Sequence, residues 1–170
     1  RKNIKPLAGH PLIYYTIQCS LNAKEVHRTI VSTEDKEIRK IVTELGAEAP
    51  FLRPEKLAQD STHDYPVVRH CVDYLINQEQ WIPHIIVFLR PTMPLRVIEE
   101  VNQAVRLLIE NPDFDCVRTS RPVPYPPYWM KRRNEDGFLE PFDPVVEPYI
   151  NVRSQDLPQV VTCDGYVDAT

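Results

Sequence analysis

The stretch Ile85-Ile86-Val87-Phe88-Leu89-Arg90-Pro91-Thr92-Met93-Pro94-Leu95-Arg96 decides the fold. Its first five residues are an unbroken apolar run, too short for a helix and free of polar alternation. That pattern suits a strand covered on both faces, as in a parallel sheet inside an α/β domain. A rigid turn with two arginines and a hydroxyl follows at once. Open α/β sheets bind ligands just past the carboxyl ends of their strands, which makes this basic loop a candidate site.

Working outward, the chain up to about residue 119 alternates short strands with helices. Pro11 opens a helix carrying Ile13, Ile17 and Leu21 one turn apart, with Leu12, Tyr15 and Cys19 alongside. Residues 28–33 read as a strand ending in the hydroxyls of Ser32 and Thr33. Glu34 and Asp35 favour a helix start, because the helix dipole welcomes negative charge there. Ile38, Ile41, Val42 and Leu45 then form an i, i+3, i+4, i+7 stripe, and Gly46 supplies a left-handed stop. Ala49 to Leu52 reads as a short strand closed by Arg53-Pro54. Tyr65, Val68, Val72 and Leu75 mark a further helix, as do Ile98, Val101, Val105 and Leu108, and Phe114 to Thr119 reads as another strand. Such alternation implies βαβ units.

Composition narrows the function. The chain has 170 residues, enough for one domain with its own core, and a net charge of -4, which gives no basic footprint for nucleic acid. Cys19, Cys71, Cys116 and Cys163 lie far apart without a CxxC pair, so buried reduced thiols are expected rather than a disulfide framework or a zinc site. No run approaches the roughly 20 apolar residues of a membrane span, and a soluble cytoplasmic protein is the expectation. Gly9, Gly46, Gly137 and Gly165 make neither a GxGxxG nor a GxxxxGK[ST] loop, which leaves dinucleotide and P-loop chemistry unsupported. Of 17 prolines, nearly half fall between Pro122 and Pro158, a region expected to form extended arms and turns. The five histidines show no pairing with a nucleophile.

Lys2-Asn3-Ile4-Lys5-Pro6-Leu7-Ala8-Gly9-His10-Pro11-Leu12-Ile13, Ile30-Val31-Ser32-Thr33-Glu34-Asp35, Phe51-Leu52-Arg53-Pro54 and Arg90-Pro91-Thr92-Met93-Pro94-Leu95-Arg96 occur in order. Together they resemble the acylneuraminate cytidylyltransferase family, the CMP-sialic acid synthetases and their nonulosonic relatives. Gln155-Asp156-Leu157-Pro158 followed by Asp164-Gly165 is similar to that family's later segment, so the likeness covers nearly the whole chain. The resemblance implies a Rossmann-like, mostly parallel sheet flanked by helices, of the nucleotide-diphospho-sugar transferase type. It implies one domain over residues 1–170, a proline-rich dimerisation arm over residues 120–160, and a homodimer. The implied reaction joins CMP from CTP to a nonulosonic keto-sugar acid and releases pyrophosphate with Mg²⁺. A 3-deoxy-manno-octulosonate cytidylyltransferase and a non-catalytic binding module of the same fold are the alternatives.

By matching position, the resemblance assigns the nucleotide to Lys2, Asn3, Arg53, Ser61, Thr62 and Asp64. Without the resemblance a solvated tail would be the preferred explanation of Lys2 and Asn3, and capping of the next helix explains Ser61, Thr62 and Asp64 equally well. The sugar is assigned to Arg90, Thr92, Arg153, Gln155 and Asp168. Arg90 replaces a glutamine common in sialic acid enzymes and could pair with a carboxylate or attract phosphate. Thr92 suits turn geometry, and Arg96 suits a structural partner near the helix start. Ser154 stands where the family has an arginine, and Asp168 where it has an aromatic residue, which points away from N-acetylneuraminate. No catalytic residue is assigned. The family's first strand with its basic loop, and the acidic pair that holds magnesium, are expected outside these residues, so the segment alone is expected to be inactive. One spatial expectation underlies the whole reading: the tips after Val31, Leu52 and Leu89 converge on a shared cavity.

Overall fold

The computed structural model describes residues 1–149 and 151–170. They divide into two compact units, Arg1–Arg118 with Gly165–Thr170, and Thr119–Asp164. The elements run β1 (Pro6–Leu7), β2 (His10–Pro11), α1 (Leu12–Asn22), α2 (Lys36–Glu44), α3 (Asp64–Glu79), β3 (Val87–Phe88), α4 (Ile98–Glu110), β4 (Val117–Pro122), β5 (Lys131–Arg133), β6 (Leu139–Pro141) and β7 (Val161–Ala169).

Local chemistry accounts for the helix limits in the first unit. Ala8 and Gly9 have φ of +45° and +88°, the two left-handed residues that a tight β1–β2 hairpin needs. The Tyr15 hydroxyl donates to the Leu7 carbonyl at 2.6 Å and ties that hairpin to α1. The Asp35 carboxylate accepts from the amides of Glu37 and Ile38 and caps α2. At the other end Gly46 (φ +93°) donates to the Thr43 carbonyl and Ala47 to that of Val42, the paired bonds of a Schellman stop.

Helix α1 is buried on two sides. Ile13 and Ile17 pack with Val42, Ala47 and Ala49, whereas Cys19 and Ala23 pack with Val101, Ala104, Leu108, Val167 and Ala169. Leu21, Tyr65 and Ile98 are exposed although they lie on the expected apolar stripes. Each is near a helix end, where the stripe outruns the surface it covers. Cys116 and Cys163 are also exposed, contrary to the expectation of buried thiols, and all four cysteines are free. Cys116 precedes β4, so no sheet face covers it.

The fold is mixed α/β, but the mostly parallel sheet expected from the sequence is not what the described strands form. Among the described residues, parallel pairing joins 28–33 to 48–53, where Glu48 donates to the Thr29 carbonyl and Val31 to the Glu48 carbonyl, both at 2.8 Å. Strand pairs β1–β2, β5–β6 and β3–β7 are antiparallel, and β7 lies between β3 and β4. The physical reason is a gap: among the described residues no backbone hydrogen bond joins 28–33 to 85–89, and both segments line one cavity.

The second unit follows its prolines. Short 3-10 turns at Pro127–Trp129 and Pro144–Tyr149 pack Tyr128 against Tyr149 with ring centroids 4.8 Å apart. Strands β5 and β6 form a hairpin closed by Gly137 at φ +88°.

Candidate functional site

The cavity between the two extended segments has a volume of about 1000 Å³ and is lined by first-unit residues alone. Its walls are largely apolar, with Ile13 and Ile17 from α1, Val68 and Leu75 from α3, and Val105 from α4. Cys71 belongs to the same wall, and burial pushes its thiol up to about 11, which keeps it neutral. The polar residues gather at the ends of the extended segments. Ser32, Thr33 and Glu34 follow the first, Arg53 the second, and Arg90 and Thr92 the third. The expected convergence of three tips on one cavity is therefore present.

Lys2 and Asn3 also line the cavity. They sit in a 3-10 turn, Lys2–Ile4, rather than in a loose tail. Arg1 holds that turn by pairing with Asp35 at 3.1 Å at the start of α2, and with Glu37. Arg53 is anchored twice. Its amide donates to the Thr33 carbonyl at 2.8 Å, and its guanidinium pairs with Glu34. Burial raises the Glu34 carboxyl, but hydrogen bonds from its own backbone and from Arg53 outweigh this and leave it below its usual range. Thr62 and Asp64 line the cavity. Ser61 is exposed and is not on the lining.

Arg90 is held between two carboxylates. Its Nη1 donates to Asp168 at 2.8 Å and its Nη2 to Asp64 at 2.6 Å, while the guanidinium lies over the Phe88 ring. The hydrogen bond to Asp168 dominates a raised pKa, with burial opposing and Asp64 adding to it. Asp168 is shared with Arg118 at 3.6 Å. Arg96 is buried and structural, donating to the Arg90 carbonyl at 3.2 Å and to the Thr16 hydroxyl. Arg153 and Gln155 lie in the second unit, where Arg153 pairs with Asp156 at 2.8 Å. Among the described residues no group of three or more His, Cys, Asp or Glu side chains gathers to hold a metal ion.

Two polar residues of this region lie outside the sites expected from the sequence, Ser32 on the cavity and Arg118 beside Asp168. Ser32 carried a signal in the hydroxyl pair that ends its strand. Arg118 carried none, because its pairing with Asp168 joins residues far apart in the chain.

This arrangement places ion-paired arginines and hydroxyl groups beside an apolar cleft at the ends of extended segments, a setting for a polar ligand with an apolar face. Residues 1–136 match the family model described as cytidylyltransferase. The chain belongs to that family. A pseudaminic acid cytidylyltransferase of Campylobacter jejuni is 32% identical over 157 residues, covering 92% of this chain and 66% of the relative. A CMP-N,N'-diacetyllegionaminic acid synthase of Legionella pneumophila is 31% identical over 140 residues, covering 81% and 58%. The chain thus spans about two thirds, or less, of the curated relatives it matches. The solved structure of a CMP:2-keto-3-deoxy-manno-octonic acid synthetase complexed with CTP superposes with a TM-score of 0.68 at 15% identity, over 99% of this chain and 66% of that one. At that identity the likeness speaks for the fold of this cytidylyltransferase-family chain. Among the described residues no helix is long and apolar enough to cross a membrane.

Proposed function

We propose that the full-length protein transfers CMP from CTP to a nonulosonic keto-sugar acid of the pseudaminic or legionaminic kind and releases pyrophosphate. A sugar hydroxyl oxygen attacks the α-phosphorus in line and gives up its proton to water. The bond from that phosphorus to the bridging oxygen breaks, and the electron pair leaves with pyrophosphate. The observation that carries the reading is the meeting of Ser32, Arg53 and Arg90 on one cavity in a chain of this family.

In this reading Lys2, Asn3, Arg53, Ser61, Thr62 and Asp64 serve the nucleotide, with Lys2 facing charge that grows on the leaving group. Arg90, Thr92, Arg153, Gln155 and Asp168 serve the sugar. Arg90 is already neutralised by Asp64 and Asp168, so it presents an ion pair rather than a free cation to its ligand. The identities to pseudaminic and legionaminic relatives support the sugar class. The finer architecture proposed is the Rossmann-like nucleotide-diphospho-sugar transferase type, with residues 120–160 as the arm of a cytoplasmic homodimer. The exposed Tyr125, Trp129, Phe138 and Val145 of the second unit support an arm that meets a partner.

The test is a pyrophosphate-release assay of the full-length protein with CTP, Mg²⁺ and a panel of keto-sugar acids. Release with pseudaminic or legionaminic acid is expected. No release with any sugar, or release with the eight-carbon octulosonate alone, contradicts the reading.

A further inference from the structure

We propose that Ser32 is a further nucleotide-binding residue, its hydroxyl contacting the nucleoside rather than the phosphates, an assignment that rests on the function proposed above. Ser32 Oγ is shut off from solvent and has no hydrogen-bond partner among the described residues. Only a few side-chain atoms share that condition, and two of the others are Arg53 Nε and Asn3 Oδ1. All three residues line the same cavity. Buried polar groups without partners are uncommon and costly, so three on one cavity wall call for a ligand that completes them.

The polar atoms around them are satisfied. Ser20 and Thr29 share a hydrogen bond of 2.9 Å, Thr33 Oγ1 accepts from the Asp35 amide at 3.2 Å, and Arg53 Nη2 donates to Glu34. The vacancies are thus selective. The two extended segments also meet next to Ser32, since the Arg53 amide donates to the carbonyl of Thr33, the residue after Ser32, at 2.8 Å.

The type of vacancy identifies the ligand. Arg53 Nε can only donate, Asn3 Oδ1 can only accept, and a serine hydroxyl does either. An ionised phosphate has acceptors only and leaves the Asn3 oxygen unmet. A nucleoside carries both kinds, as ribose hydroxyls and as the amino and carbonyl groups of cytosine.

The experiment compares full-length wild type, Ser32→Ala and Ser32→Thr by calorimetric titration with CTP, dCTP, UTP and inorganic tripolyphosphate. Ser32→Ala is expected to bind CTP roughly 5- to 10-fold more weakly, the size of one hydrogen bond, and its KM for CTP rises in parallel. Tripolyphosphate binding is unchanged, and Ser32→Thr recovers part of the CTP affinity. A loss that vanishes with dCTP assigns the contact to the ribose, and one that vanishes with UTP assigns it to the base. The melting temperature without ligand does not fall, because the hydroxyl bonds nothing there; a structural serine would lower it. CTP binding by Ser32→Ala equal to wild type, or an equal loss for tripolyphosphate, overturns the proposal while leaving the family reaction standing. Wild type that neither binds nor turns over CTP overturns both.

Discussion

Arg90 is held by neighbours on several sides. Phe88 supports its face, Asp64 and Asp168 take its two terminal nitrogens, and its own carbonyl receives Arg96. Gly165 belongs to the same constellation. Its φ is +67°, and a Cβ built there would stand 2.9 Å from Arg90 Nη1. Gly165→Ala therefore meets both left-handed backbone strain and a guanidinium that has to move. Denaturant unfolding is expected to show a loss of about 1–2 kcal/mol, and pyrophosphate release should fall with it; unchanged stability and turnover would mean that the glycine is incidental. The place of Arg90 on the cavity was legible in the sequence because the loop after an apolar strand is a preferred ligand position. Its carboxylate partners were not, since Asp64, Arg90 and Asp168 come together only through the tertiary fold.

At the scale of elements, Arg28 joins three of them. It pairs with Glu48 of the neighbouring extended segment and with Glu79 at the end of α3 at 2.8 Å, and its guanidinium lies over the Trp81 ring. The hydrogen bond from Arg28 holds the Glu48 carboxyl below its usual value, with burial opposing. A depressed folded-state pKa adds stability above the unfolded value of about 4.3 and loses it as pH falls through the folded value. Glu48→Gln should thus be less stable than wild type at neutral pH, with the gap closing as the solution is taken below about pH 4. Melting curves across that range check it, and a gap independent of pH would show that the pair adds nothing ionic. Helix α2 was readable from sequence end to end, because Asp35, the Ile38-to-Leu45 stripe and Gly46 act within a few residues of one another. Strand pairing was not readable in this way. The antiparallel seat of β7 beside β3 depends on residues about 80 positions apart, and an apolar run such as Ile85–Leu89 fixes burial without fixing the neighbour or its direction.

At the scale of the molecule, the first unit supplies the cavity and the second carries Arg153, Gln155 and an exposed aromatic surface. Family membership and the three converging tips lead to the same account, a nucleotide seated at the ends of the segments 28–33, 48–53 and 85–89. Determining the structure of the full-length protein with CTP bound tests this most directly. The account predicts the nucleoside within hydrogen-bond distance of Asn3, Ser32 and Arg53, with the triphosphate running toward Lys2. CTP bound away from this cavity, or seated in it with Arg53 and Ser32 turned elsewhere, would contradict it.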